Sequence, residues 1–149
     1  MACVTETSED PWRLERFVTA QDEAGTFQRA VTELRAGMKR GHWMWFVFPQ
    51  IAGLGSSPMA QEFAIGSLAE AQAYRAHPVL GPRLTECAQV LNAVADGTSA
   101  TEIFGPIDAM KLRSSMTLFA AAAPTEQVFT DVLTRYFEGE ADPATLERL

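Results

Sequence analysis

The sequence predicts an all-α fold, a compact multi-helix orthogonal bundle of seven or eight helices with no significant sheet. Three observations support this prediction. Apolar residues recur at helical spacing along most of the chain, as Phe27, Val31 and Leu34 do. Residues typical of helix starts and ends separate these stretches. One short run, Trp43–Phe48, has the composition of a strand, and no other segment is a suitable partner for it.

The predicted helix starts carry side chains that can accept a hydrogen bond from the amides of the first turn. Ser67 and Ser99 are each followed, three residues later, by a glutamate, which is the pattern of a capping box. Elsewhere a proline follows the capping residue, in the first helical position where its missing N–H has no cost. These pairs are Asp10-Pro11, Ser57-Pro58 and Asp142-Pro143.

Two longer helices are predicted on either side of the middle of the chain. One runs from about Asp22 to Ala36 and ends at Gly37, since glycine readily adopts the left-handed conformation that closes a helix. The other is capped by Asp108 and stops before Pro124.

The aromatic run that follows His42 is predicted to be a buried helix broken at Pro49. An unpaired strand in a helical core would leave its own amides and carbonyls without partners, at about 1–3 kcal/mol each. A helix satisfies these groups internally. The next segment, residues 50–58, is predicted to be a loop because it contains Gly53, Gly55 and Pro58.

Length and composition limit the possible classes of protein. Residues 10–149 suit one helical domain, and residues 1–9 are predicted to be a flexible N-terminal tail. A net charge of −7 argues against nucleic acid as a partner. The longest apolar runs have six residues, whereas a membrane span needs about 20, so we expect no membrane association.

Cysteine and histidine are too scarce to build a metal site, and no cofactor is expected. Cys3 and Cys87 do not form a disulfide framework, and we interpret both as reduced thiols in a cytoplasmic protein. His42 and His77 lie far apart in the sequence, without the spacing of metal ligands. The oligomeric state is left open, with a monomer favoured.

Two basic islands interrupt the acidic chain. No acidic residue lies between Glu33 and Glu62, and none lies between Asp108 and Glu126. The first island contains four polar-tipped or aromatic candidates for a binding site, and the second contains three. They are His42, Trp43, Trp45 and Gln50 in the first, and Lys111, Ser114 and Ser115 in the second.

The candidates of the second island share one face of a predicted helix. Lys111, Ser114 and Ser115 have the spacing i, i+3 and i+4. Burying such groups without a partner is costly, so water, protein groups or an anionic ligand must satisfy them. A structural role is the alternative: a serine can bond to the carbonyl four residues earlier, Lys111 can pair with Asp108, and the tryptophans can be core residues.

Three segments together resemble a known family. HWMWFVFPQI, SLAEAQAYRAHPVLGPRL and KLRSSMTLF, in this order, are similar to a family of small bacterial proteins catalogued as a domain of unknown function. Some of its members carry an automated "calpastatin" label. The resemblance extends from DPWRLERFVTAQ to YFEGEADPATLERL and implies a mainly α-helical bundle, with no established reaction and no catalytic residues. It also implies that the two basic islands meet.

The "calpastatin" label does not suit this composition. Inhibitors of that type are extended and disordered until they bind, whereas a hydrophobic content of 47% is that of a chain with its own core.

Three classes of function remain open. The first is a binding module for a small anionic ligand, nucleotide-like or organic-acid-like, held between the two islands by the seven candidate residues. The second is an enzyme that uses Lys111 or His42 as acid or base, with its catalytic residues otherwise unknown. The third is an interaction or scaffold protein without a ligand site.

Overall fold

The structure, a computed structural model, describes residues 10–149, and the predicted flexible tail over residues 1–9 lies outside them. Within the described range the only β feature is an isolated parallel bridge between Ile51 and Ile65. The predicted all-α class without significant sheet is therefore confirmed. The helices are α1 (Glu15–Asp22), α2 (Thr26–Ala36), α3 (Met44–Val47), α4 (Pro58–Glu62), α5 (Leu68–Ala76), α6 (Leu80–Asn92), α7 (Ala100–Ala122), α8 (Gln127–Phe137) and α9 (Pro143–Leu146).

Four of the nine helices within residues 10–149 begin at the predicted caps. At Ser99 the hydroxyl accepts the Glu102 amide and the Glu102 carboxylate accepts the Ser99 amide, which completes a capping box. Single side-chain caps form at Ser57, Ser67 and Asp142. Asp10 accepts hydrogen bonds from the amides of Leu14 and Glu15, so α1 begins later than the Asp10-Pro11 pair predicts.

The predicted helix from Asp22 to Ala36 is interrupted near its start. Ala24 and Gly25 both have positive φ, at 53° and 69°, and a single turn of 3-10 helix over Glu23–Gly25 separates α1 from α2. The predicted termination at Gly37 is confirmed, because Gly37 adopts φ 72° and its amide bonds to carbonyls of the last turn.

Helix α7 begins earlier than predicted, and the assignment of Asp108 as its cap is wrong. The helix starts at Ala100 and continues across a kink at Gly105, where φ is 80° and ψ is 163°. Pro106 follows the kink, so its missing amide is tolerated there. Asp108 lies inside the helix, and its carboxylate forms ion pairs instead of a cap.

One cluster of buried apolar side chains, extending along the chain from Leu14 to Leu133, forms the core. Helix α7 packs against α5, α8 and α9, and its residues 114–119 are all buried. The core therefore surrounds this part of α7. The hydroxyl stripe predicted for one face of α7 is buried along with the apolar residues on the other face.

The aromatic run is buried, as predicted, although its helix is shorter than predicted. The helical part is α3, and Phe48 leaves the helix with φ −126° and ψ 74° before Pro49. Trp43, Phe46 and Phe48 are buried, and Trp45 is half-buried.

Three further observations concern the described residues as a whole. No helix among residues 10–149 combines the length and the apolarity that a membrane crossing requires. No three His, Cys, Asp or Glu side chains in the same range are grouped so that they could hold a metal ion. Cys87 is a free, buried thiol, and burial raises its pKa.

Candidate functional site

The two basic islands lie side by side, and Asp108 bridges them. Its carboxylate oxygens lie 2.9 Å from the Lys39 Nζ and 3.5 Å from the Lys111 Nζ. Each ammonium also stands over a tryptophan ring: Lys39 Nζ is 5.0 Å from the Trp43 centroid, and Lys111 Nζ is 5.4 Å from the Trp45 centroid. Cation–π contacts of this kind add to the stabilisation of each ammonium.

The charge of Lys111 is only partly neutralised by this bridge. Lys39 is the nearer cation to Asp108, and its side chain is only 8% exposed, whereas that of Lys111 is 27% exposed. One carboxylate shared by two ammonium groups leaves a net charge of about +1. The exposed part of that charge lies at Lys111.

A groove of about 550 Å³ opens beside Lys111. Its walls are the loop over residues 50–57, the middle of α7 and the segment around the start of α9. The polar lining comprises Gln50, Ser56, Ser57, Lys111, Ser114 and Asp142, and the large apolar lining residues are Leu54, Ile107 and Met110. Its volume falls within the range of small-molecule sites, which are typically apolar with a few convergent polar groups.

The loop wall is fixed by the parallel bridge. The Gln50 carbonyl accepts the Ile65 amide at 2.9 Å, and the Ala52 amide donates to the Ile65 carbonyl at 2.8 Å. The side-chain amide of Gln50 forms no hydrogen bond with residues 10–149, so it is available to the groove. A small cavity of about 20 Å³ adjoins this position, between Gln50, Trp45 and Gly55, with room for one water molecule.

Asp142 forms part of the opposite wall, and its Oδ2 is fully engaged by protein donors. It accepts hydrogen bonds from the Ser114 hydroxyl at 2.9 Å, the Thr145 hydroxyl at 2.6 Å and the Thr145 amide at 3.2 Å. Burial acts to raise the pKa of Asp142, but these bonds and the charge of Arg113 outweigh it and lower the pKa below its ordinary value. The carboxylate is therefore ionised at neutral pH.

The sequence predicts that Asp142 caps a helix, but it does not indicate that Asp142 lines the groove. The contact with Ser114 joins residues 28 positions apart, and no local pattern signals such a pairing. An Asp-Pro pair predicts the start of a short helix whether or not a groove is nearby.

The two serines of α7 have different surroundings. Ser114 lines the groove, with its hydroxyl near both the Asp142 carboxylate and the Met110 carbonyl, at 2.9 and 3.2 Å. Ser115 is completely buried, and its Oγ has no hydrogen-bond partner among the described residues. Only Ser114 of this pair therefore reaches the groove that Lys111 borders.

His42 and Trp43 lie on a different groove from Lys111. Trp43 is 1% exposed, and its Nε1 donates to Glu33 Oε1 at 2.9 Å. His42 is exposed, and both residues border a second groove of about 450 Å³ that is also lined by Phe46. The predicted single site of seven residues is thus divided: Gln50, Lys111 and Ser114 share one groove, Trp45 lies under Lys111, and His42, Trp43 and Ser115 lie elsewhere.

Glu33 holds the loop that carries His42 and Trp43. Its Oε1 accepts the amides of Arg40 and Gly41, at 2.8 and 3.0 Å, in addition to the Trp43 indole. Burial acts to raise the pKa of Glu33, but these hydrogen bonds and the charge of Lys39 lower it below the ordinary value of 4.5. The polar atom of Trp43 is therefore already satisfied by protein.

A serine bonded to Lys111 or a carboxylate paired with His42 would be a geometric sign of acid–base chemistry. Within residues 10–149, no hydrogen bond joins Lys111 to Ser115, and no carboxylate pairs with His42. The enzyme alternative therefore rests on the sequence pattern alone.

Comparisons with known proteins agree with the resemblance drawn from the three sequence segments. A family model described as "Protein of unknown function (DUF1810)" matches residues 11–149. A search of curated proteins finds no match. Among solved structures, the conserved hypothetical protein Rv1873 from Mycobacterium tuberculosis is similar, with 56% sequence identity and a TM-score of 0.90. That match covers 94% of this chain and 98% of the other. The chain belongs to the DUF1810 family of proteins.

Proposed function

We propose that the protein binds a small organic acid in the groove between the 50–57 loop, α7 and the start of α9. The acid group lies against the Lys111 ammonium, and the apolar part of the molecule contacts Leu54, Ile107 and Met110. The observation that carries this proposal is the partly neutralised ammonium of Lys111 at the edge of a groove of ligand size.

The apolar lining supports a ligand with an apolar portion. Ile107 and Met110 are 70% and 71% exposed, and they stand one turn apart on α7, next to the half-buried Leu54. Covering these side chains would remove apolar surface from water, which is favourable in proportion to the area covered. An acid with a hydrocarbon or aromatic body suits such a surface.

The position of Trp45 favours an organic acid over a nucleotide. Its ring already faces the Lys111 ammonium, so that face is not free to stack on a base. Trp43 is buried and bonded to Glu33, so it offers no stacking surface either.

The negative charge of the whole chain does not prevent an anion from binding at this place. At physiological salt the screening length is about 8 Å, so charges beyond the immediate surroundings contribute little. Among the residues of the 10–149 range that line the groove, Lys111 is the only cation. We therefore expect the affinity to fall as salt is added.

A thermal-shift screen with organic acids, sugar phosphates and nucleotides tests the proposal. A ligand of the folded state raises the melting temperature, and we expect the largest shifts from organic acids with an apolar body. Lys111→Met should weaken binding of these acids by about 10- to 100-fold, because a charge-assisted hydrogen bond is lost.

Arg35→Met is the matched control, because Arg35 is an exposed cation whose ion pair with Glu86 lies on other helices. It should leave ligand binding unchanged. The proposal is wrong if no acid raises the melting temperature, or if Lys111→Met and Arg35→Met have the same effect on binding.

A further inference from the structure

We propose that Asp142 is the second recognition group of the groove, and that the ligand carries a hydrogen-bond donor beside its acid group. This inference rests on the proposed function. The donor is a hydroxyl or an ammonium, so the ligand class is that of hydroxy acids and amino acids with an apolar side chain.

The two oxygens of Asp142 have different surroundings. Oδ2 accepts three hydrogen bonds from Ser114 and Thr145, whereas no donor within residues 10–149 reaches Oδ1. Because Asp142 lines the groove, Oδ1 is the oxygen left for a bound molecule.

Because Asp142 is ionised, its Oδ1 requires a hydrogen-bond donor. The hydrogen bonds that hold Oδ2, together with Arg113, keep the carboxylate charged against the effect of burial. A ligand that covers Oδ1 without offering a donor leaves a buried charge without a partner, which is costly. The groove therefore discriminates against plain carboxylic acids.

Lys111 and Asp142 line the same groove, and α7 links their positions. Ser114 follows Lys111 by three residues on α7, where side chains are about 5–6 Å apart at Cβ, and its hydroxyl is bonded to Asp142. The groove lining thus includes one positive charge, on Lys111, and one negative charge, on Asp142. A zwitterion, or a hydroxyl next to a carboxylate, complements both.

Ser114 helps to hold the Asp142 carboxylate in place. Its hydroxyl contacts Asp142 Oδ2, and Thr117 accepts the Asp142 backbone amide at 2.8 Å. Arg113 donates to the carbonyls of Glu140 and Ala141, just before Asp142. One turn of α7 thereby fixes the carboxylate relative to Lys111.

Three acids that share one skeleton test this inference: 3-phenylpropanoate, phenyllactate and phenylalanine. They differ only in bearing hydrogen, hydroxyl or ammonium on the carbon next to the carboxylate. Titration calorimetry on the wild-type protein should show binding of phenyllactate or phenylalanine at least about tenfold tighter than of 3-phenylpropanoate. Preference for the hydroxyl indicates a neutral donor, and preference for the ammonium indicates charge pairing, and either result supports the proposal.

Asp142→Asn should abolish that preference, with Asp131→Asn, an exposed aspartate of α8, as the control. The amide oxygen of the substituted side chain can still accept the bonds of Ser114 and Thr145, which leaves its NH₂ toward the groove as a donor. Loss of the preference in Asp142→Asn, and its retention in Asp131→Asn, supports the assignment.

The failures of the two proposals are distinguishable. If the three acids bind equally to the wild-type protein and Lys111→Met weakens all of them, donor recognition is overturned while acid binding in the groove stands. If none of the three binds and the wider screen also gives no hit, both proposals are overturned. If Asp142→Asn does not fold, the three acids on the wild-type protein decide the question alone.

Discussion

At the scale of single residues, Glu33 shows how a polar group can be structural although it lies beside a predicted site. One carboxylate oxygen accepts hydrogen bonds from the amides of Arg40 and Gly41 and from the indole of Trp43. These bonds fix the loop between α2 and α3 and satisfy the polar atom of a tryptophan that is otherwise enclosed in the core. The loop in turn carries Lys39, which holds Asp108.

Replacing Glu33 by glutamine should lower the stability of the fold at neutral pH. The amide keeps one acceptor oxygen but loses the charge, and hydrogen bonds to charged groups are stronger than neutral ones, so we expect a loss of about 1–2 kcal/mol. Urea unfolding at pH 7 measures it. Glu86→Gln, at an exposed ion pair with Arg35, should change stability by less than about 1 kcal/mol.

The same variant should also lose part of the acid sensitivity of the wild-type protein. The pKa of Glu33 is lowered in the folded state, so its contribution to stability is present above its ordinary pKa of 4.5. That contribution disappears as the pH falls through the lower, folded-state pKa. Between pH 5 and 3, Glu33→Gln should therefore show a shallower decline than the wild type. Equal stability of the two at pH 7, with parallel acid limbs, would contradict this role for Glu33.

At the scale of elements, α7 is kinked just before the residues that it contributes to the groove. Gly105 has φ 80° and ψ 163°, a conformation that is essentially restricted to glycine, and Pro106 follows it. The first part of the helix places Ile103 and Phe104 in the core, and the part after the kink presents Ile107, Met110 and Lys111 to the groove.

Gly105→Ala should destabilise the protein by about 1–3 kcal/mol, through backbone strain alone. Apart from the neighbouring residues and the nearby backbone of the helix, no heavy atom lies within 4 Å of the added methyl group, so a clash with the rest of the fold does not contribute. Thermal unfolding followed by circular dichroism measures the effect. Thr101→Ala, at an exposed position in the first part of the same helix, should stay within about 0.5 kcal/mol of the wild type. A Gly105→Ala variant as stable as Thr101→Ala would show that the kink does not require glycine.

The elements that sequence analysis predicted correctly depend on local chemistry. Ser57, Ser67, Ser99 and Asp142 cap helices because their side chains reach amides three residues ahead, and that relation is visible in the sequence. Asp108 has the same capacity, but Lys39 and Lys111 engage its carboxylate instead. The helix instead begins after Ser99, because a complete capping box forms there and the helix continues past the kink at Gly105.

At the scale of the whole molecule, the aromatic segment separates two grooves. Trp43 immediately precedes α3, with the non-helical angles φ −124° and ψ 5°, whereas Trp45 lies within α3, and their side chains have different partners. Trp43 turns toward Glu33, and Trp45 turns toward Lys111. In the sequence the two tryptophans belong to one aromatic run, and only their tertiary contacts distinguish them.

Part of the groove lining could be predicted from the sequence. Lys111 and Ser114 share a helix face, and Gln50 ends the apolar run, so their polar character in an apolar context is visible in the sequence. Ser115 has the same character but faces the core, and Asp142 joins the groove through a contact with Ser114 across the fold. Periodicity identifies a face, and packing decides which parts of that face remain open.

The tryptophan indole signals in a ¹H–¹⁵N correlation spectrum provide the most direct measurement of ligand binding in this groove. The chain has three tryptophans, Trp12, Trp43 and Trp45, and of these Trp45 lies under Lys111, which lines the groove. Titration with phenyllactate should shift the Trp45 indole signal progressively. The signals of Trp12 and of Trp43, whose indole is held by Glu33, should stay in place. Movement of the Trp43 signal with a stationary Trp45 signal, or no movement of any of the three at saturating concentration, would contradict binding beside Lys111.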